Sequence, residues 1–240
     1  MLKKCSLPLL LLALMAGTAS ADQLKFLGPV YTDSSWATWN GYWISPYKVL
    51  DETTNQNLVV YCLDYNHEIG TNQEWNADFR LLTQANAANF LYGNLPATGG
   101  TYPAGLPDGW TRYQMAAYLF EQSELVQPPG TDPAKRTQMV NAQAAAWGLF
   151  AANSAIETAV LNDPAKRALQ LAAYNAVTGG TFTPPDNWYV LTDQNRNAPV
   201  QEFLVQGYSF DRAPEPATIA QLGTVAALLG LAALRRRRRA

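Results

Sequence analysis

Cys62, in the stretch VVYCLDYN, is one of two cysteines in the 240-residue chain; the other, Cys5, lies in the apolar opening segment. A lone thiol can be a small buried hydrophobe, half of an intermolecular disulfide, or a nucleophile. His67, five residues on, is the only histidine. An odd separation along a strand puts two side chains on opposite faces, so a Cys62–His67 dyad needs a turn, which NHEIG could supply. One histidine and one cysteine fall short of a zinc tetrad, so neither a metal site nor a cofactor is expected. Asp64 shares the strand face of Cys62 and is a candidate for assisting proton transfer, or a solvated strand carboxylate. The second unusual group is Gln143 in AQAAAW. On helical spacing it shares a stripe with Met139, Trp147 and Phe150, where a carboxamide is costly unless it is satisfied. It is a hydrogen-bonded buried glutamine, a glutamine at the margin of the stripe, or a side chain whose carboxamide has reacted.

The elements that must position these groups follow two textures. Residues 22–65 are rich in aromatic and β-branched side chains, punctuated by Gly28-Pro29, Asn40-Gly41, Ser45-Pro46 and Asn55-Gln56-Asn57, and predict three or four strands. From Thr83 to Val177 the alanine-rich segments TQANAANFLYG, TRYQMAAYLFEQSE, MVNAQAAAWGLFAANSA and PAKRALQLAAYNAV predict helices. DPAKR occurs twice, at 132–136 and 163–167, with Asp placed to cap a helix and Pro at its first position. After Gly179-Gly180, WYVLTD and QEFLVQGYSF return to strand texture and should close the sheet begun at the N-terminus. The expected class is α+β: a β-sheet or barrel-like sandwich with a helical insertion, plus a C-terminal transmembrane helix.

Both ends of the chain carry targeting texture. Lys3 and Lys4, the apolar run LPLLLLALMAG and Ala19-Ser20-Ala21 predict a cleavable signal peptide over 1–21, too short to span a bilayer at about 20 residues per crossing. Residues 217–234 are apolar except for Thr218, Gln221 and Thr224, and Arg235, Arg236, Arg237, Arg238 and Arg239 follow, as in a membrane span held by a cytoplasmic basic cluster. Between the ends, residues 22–213 hold ten Lys and Arg against eighteen Asp and Glu, a formal charge of −8. That acidity argues against nucleic acid, whose binding rests on neutralising phosphates, and steers basic partners toward the domain weakly. The aromatics Trp36, Trp39, Tyr42, Trp43 and Tyr47 could stack on sugars or fill a core.

Two resemblances rest on these residues. Pro214-Glu215-Pro216, the apolar helix and the arginine cluster resemble the PEP-CTERM sorting signal over 214–240. This implies an exosortase-type processing enzyme as partner, an inner-membrane intermediate, and delivery to the outer surface or extracellular matrix. VYCLD followed some eighty residues later by AQAAAW resembles the bacterial surface thioester domain over 22–213. There Cys62 and Gln143 would join, with Trp147 in the tryptophan position of the family, Ala142 where threonine is common, and Ala146 replacing a larger aliphatic residue. The resemblance implies that a thiolate displaces ammonia from the carboxamide, leaving a stored acyl electrophile that Trp147, Tyr61, Tyr65 and Phe150 would shield from water. An incoming lysine amine would then form an isopeptide bond to Gln143, as suits a covalent surface adhesin rather than an enzyme. Two other outcomes stay open: a non-reactive biofilm or exopolysaccharide matrix protein with a buried thiol, and a Cys62–His67 hydrolase.

Overall fold

A computed structural model of the chain describes residues 22–30, 38–99, 102–122, 132–151 and 154–207. Alternation of apolar and polar residues builds the sheet. In β1 (Asp22–Pro29) Leu24 and Phe26 are buried and the residues between them are not, and in β4 (Tyr47–Asp51) Tyr47, Val49 and Asp51 are buried. With β5 (Gln56–Cys62), β6 (Glu74–Leu81), β7 (Trp188–Asp193) and β8 (Phe203–Gln206), these strands form a closed antiparallel barrel in the order β1-β4-β5-β8-β7-β6. Closure leaves no unpaired edge among the six. Phe203 lies among Phe26, Tyr47 and Trp75, with ring centroids 6.0–6.4 Å apart, and fills the barrel with aromatic surface. β2 (Thr38–Trp39) and β3 (Tyr42–Trp43) form a separate hairpin. Its turn residues Asn40 and Gly41 have φ of 56° and 84°, left-handed values that Asn-Gly supplies readily in two-residue hairpin loops.

Between β6 and β7 the chain leaves the barrel as helices: a 3-10 segment at Gln84–Asn89, then α1 (Gly109–Gln122), α2 (Pro133–Phe150), α3 (Ala155–Asn162) and α4 (Pro164–Thr178). Both DPAKR strings start helices. Asp132 accepts from the Ala134 N–H, and Asp163 accepts from the Ala165 and Lys166 N–H groups, with proline in the first turn of each helix. α2 is buried all round from Ala142 to Phe150 rather than along one stripe, because α1, α3 and α4 pack on it outside the barrel. A β-carbon added at Gly148 would come within about 3 Å of Gln170 and Val160, so the close approach of α3 and α4 depends on its absence.

The expected β, helical insertion, β order and sheet closure are present, two local expectations are corrected, and one strand is added. Residues 83–93 form only a short 3-10 turn, because the Leu91 N–H is taken by the Glu202 carboxylate rather than by a helical carbonyl. The helix expected to run to Ala155 stops at Phe150, and a new one starts where Ser154 caps the Glu157 N–H. EWNADFRL, beyond the strand texture of residues 22–65, is β6, held by pairing with β1 and β7 although its Asp, Asn and Glu disfavour strand. The described residues fall in one compact unit, and among them no helix is long and apolar enough to cross a membrane. The signal peptide, Trp36, Pro214-Glu215-Pro216, the apolar span and Arg235–Arg239 lie outside the described residues.

Candidate functional site

Cys62 ends β5, paired to Phe203 of β8, and its side chain is fully buried. α2 brings Gln143 and Trp147 to it. The Gln143 Nε2 donates to the Cys62 carbonyl at 2.7 Å, and the Trp147 indole Nε1–H donates to the Cys62 Sγ at 3.3 Å. Three residues far apart in sequence thus share one niche, with Gln143 fully buried and Trp147 nearly so.

Ser45 completes the niche. Its Oγ accepts the Cys62 N–H at 2.7 Å, and its own N–H donates to the Gln143 Oε1 at 3.3 Å. One residue therefore fixes the cysteine backbone and polarises the glutamine carbonyl, along the direction in which charge would develop if a nucleophile added to Cδ. The sequence marked Ser45-Pro46 only as a turn, since the role of Ser45 comes from where the segment between β3 and β4 passes rather than from any motif.

The thiol is held as an S–H. Burial pushes Cys62 up to about 12; the Trp147 indole works in the opposite direction, and the charge of Asp64 adds a smaller upward push. The S–H group finds the Asp64 backbone carbonyl at 3.2 Å. Asp64 itself is buried just beyond the strand. Its carboxylate accepts from the Asn66 and His67 N–H groups and lies 2.5 Å from the His67 Nδ1. The imidazole is thus engaged with Asp64 across a tight turn, while the sulfur is engaged with Trp147 and a carbonyl, so the structure does not form the Cys62–His67 dyad. What Asp64 offers the thiol is its carbonyl; its carboxylate organises the turn.

Of the four aromatics expected over the sulfur, Trp147 is there, and Tyr65 packs on its ring at 5.3 Å. Tyr61 stacks on Phe120 and Trp188, and Phe150 packs on Tyr92 and Tyr113, so both belong to the helix–sheet core instead. Their places are taken by the hairpin: Trp39 lies 6.2 Å from Trp147, and Tyr42 meets Tyr65 edge-on at 4.8 Å. Above them opens a cleft of about 320 Å³, floored by Trp147. Among the described residues no cluster of histidine, cysteine or carboxylate side chains could hold a metal ion.

No protein-family model matches the chain, and no curated protein sequence matches it. Among solved structures, the chain is similar to the N-terminal thioester domain of a surface protein from Clostridium perfringens. The TM-score is 0.41 and the identity 12%, over 78% of this chain and 99% of that one. It is also similar to a cysteine-to-alanine mutant of the same domain, with a TM-score of 0.38 and 11% identity over the same shares.

Proposed function

We propose that the chain is an exported surface protein that stores an acyl electrophile as a thioester between Cys62 and Gln143. The observation that carries this reading is the shared burial of the thiol and the carboxamide beneath one indole, with a backbone N–H on the amide oxygen. In the forming step the Cys62 Sγ adds to the Gln143 Cδ while Ser45 N–H supports the oxygen. The C–N bond then breaks, the thiol proton goes to the departing nitrogen, and one ammonia leaves. Prior placement of both reactants by β5 and α2 replaces a bimolecular encounter with an intramolecular one. In the spending step a primary amine adds to the same carbon, the C–S bond breaks and the sulfur keeps one proton. The product is an isopeptide bond to Gln143. The domain is consumed once, which makes it a covalent attachment device rather than an enzyme. Non-covalent affinities reach a ceiling near about −20 kcal/mol, and a covalent bond outlasts them under load.

The two ends of the chain support delivery of this domain by a signal peptide and an exosortase-type sorting step at Pro214-Glu215-Pro216, through a membrane-inserted intermediate. Removing residues 214–240 should abolish surface display; unchanged display would refute the sorting step. A second reading has its own support. Every polar atom of Gln143 and Cys62 named above already has a partner, and burial keeps the thiol protonated, as in a non-reactive matrix protein. Intact mass separates the two readings. A mature protein lighter by one ammonia, restored to full mass by Cys62→Ala or Gln143→Ala once the substitutions themselves are counted, supports the thioester. Full sequence mass in the parent supports the inert protein.

A further inference from the structure

The cleft above Trp147 has a composition that the bond itself does not require. Its walls include Tyr42, Trp43, Tyr65 and Ile69, and its only charged lining residue among those described is Glu68. Tyr42 and Trp43 are 39% and 49% exposed, unusual for large aromatics in a domain whose remaining aromatic rings are mostly buried or half-buried. Both sit at the end of a hairpin that belongs to neither the barrel nor the helices. The cleft is also wired to the sulfur. Trp147 forms its floor and donates to the Cys62 Sγ, while Gln201 lines it and donates to the Asp64 carbonyl that takes the S–H.

We propose that this cleft is the specificity site for the attacking nucleophile, and that it selects a lysine-type side chain through aromatic walls for the alkyl stem and Glu68 for the ammonium. The proposal rests on the thioester reading, which already expects a lysine amine, and assigns the residues that select that amine over other nucleophiles. Tyr and Trp faces attract an ammonium and cover methylenes at once. A single carboxylate in an otherwise uncharged aromatic cleft favours a cation over a neutral hydroxyl nucleophile. The acidity of residues 22–213 acts in the same direction at longer range. Burial and then the neighbouring Tyr42 push the Tyr65 phenol up to about 12, and Glu68 adds the smallest upward push. The bound ammonium gives one proton to bulk water before attack; of the two remaining on nitrogen, one passes to the sulfur and one stays on the isopeptide. A pyranose stacked on Tyr42 and Trp43 is the competing occupant of another class, and the test includes it.

The test uses mature protein with two amine probes at equal free-base concentration, methylamine and Nα-acetyl-lysine methylamide, and reads adduct formation by intact mass. The lysine probe should react faster, and Glu68→Gln and Trp43→Ala should each reduce the lysine-to-methylamine rate ratio by about tenfold. A ratio unmoved by both substitutions overturns the cleft assignment while the ammonia-deficient mass leaves the thioester standing. If the parent protein carries full mass, the thioester reading fails, and the cleft is judged by binding alone in Cys62→Ala. There the lysine probe should bind, its norleucine counterpart should not, and Glu68→Gln should weaken it. Equal binding of lysine and norleucine probes, or binding of methyl glucoside in place of either, overturns it.

Discussion

Two buried polar sites lie side by side where β5 meets β8, and they distribute their hydrogen bonds differently. Cys62 pairs with Phe203, and one residue further along each strand the Leu63 N–H reaches the Glu202 carbonyl. The Glu202 carboxyl accepts from the Leu91 N–H, the Thr192 hydroxyl and the Tyr113 hydroxyl, so it ties β8 to β7, to α1 and to the segment after the 3-10 turn. The Cys62–Gln143 niche is held mostly by backbone groups of Ser45 and Cys62 itself, and among the described residues its two side chains otherwise bond only Trp147 and Asp64. Glu202 distributes its bonds over several elements, whereas the bonds of the niche are confined to Ser45, Cys62, Asp64 and Trp147. Full burial is common to both, so burial alone does not tell them apart.

The sharpest way to break this comparison is covalent. Cys62→Ala and Gln143→Ala should each abolish the ammonia loss completely; Cys62→Ala should leave the melting transition close to that of the parent, whereas Gln143→Ala strands the buried Ser45 N–H and Cys62 carbonyl at about 1–3 kcal/mol each and should lower it. Loss of folding in both would put the niche in the same class as Glu202. Glu202→Ala should do the reverse. It strands three buried donors at about 1–3 kcal/mol each, so the loss should reach several kcal/mol in denaturant unfolding. A cost below about 1 kcal/mol would show that Glu202 is no structural tie.

A smaller effect lies in pH. Burial raises Glu202 from 4.5 to about 7, against the opposing pull of its three donors. The folded state therefore binds a proton that the unfolded state has released between those values. The contribution of Glu202 to stability is fully present below 4.5 and fades as pH rises toward about 7, on the order of 3 kcal/mol at most at about 1.4 kcal/mol per unit. Glu202→Gln should flatten that decline, as read from unfolding free energies at pH 5 and pH 7.5. A slope identical to that of the parent would assign the decline to other groups.

How much of this was legible in the sequence depends on whether the cause was local. The DPAKR caps, the Asn40-Gly41 turn and the aromatic and β-branched texture of residues 22–65 are set by neighbours in the chain, and they read directly. Cys62 and Gln143 were legible as misfits, a lone thiol and a carboxamide on an apolar stripe, and the resemblance joined them. Ser45 was not, because its two bonds span 17 and 98 residues and need the folded path of the chain. β6 was hidden for a related reason: its Glu, Asn and Asp are unfavourable alone and become a strand only between β1 and β7. Phe150 faces the core rather than the sulfur because α2 is buried on all sides instead of along one apolar stripe, and Tyr61 faces away because adjacent residues of a strand, here Tyr61 and Cys62 of β5, point to opposite faces.

The smallest effect sharpens the comparison through two identical pentapeptides. Asp132 and Asp163 each cap a helix, and losing a cap typically costs about 1 kcal/mol, so Asp132→Ala and Asp163→Ala should lower stability by similar small amounts. Their surroundings differ. Asp163 also holds the Lys166 ammonium, which sits 5.8 Å from the centre of the Trp39 ring, and Trp39 packs on the Trp147 indole that covers the sulfur. Releasing Lys166 should loosen Trp39 and admit water, whereas releasing the cap at Asp132 removes only a bond to Ala134 at the far end of α2. Asp163→Ala should therefore shorten the lifetime of the ammonia-deficient form in water, followed by the mass gain of hydrolysis, and Asp132→Ala should leave it near that of the parent. Equal lifetimes in the two variants would remove Lys166 and Trp39 from the cover of the niche and leave its protection to Trp147 and Tyr65.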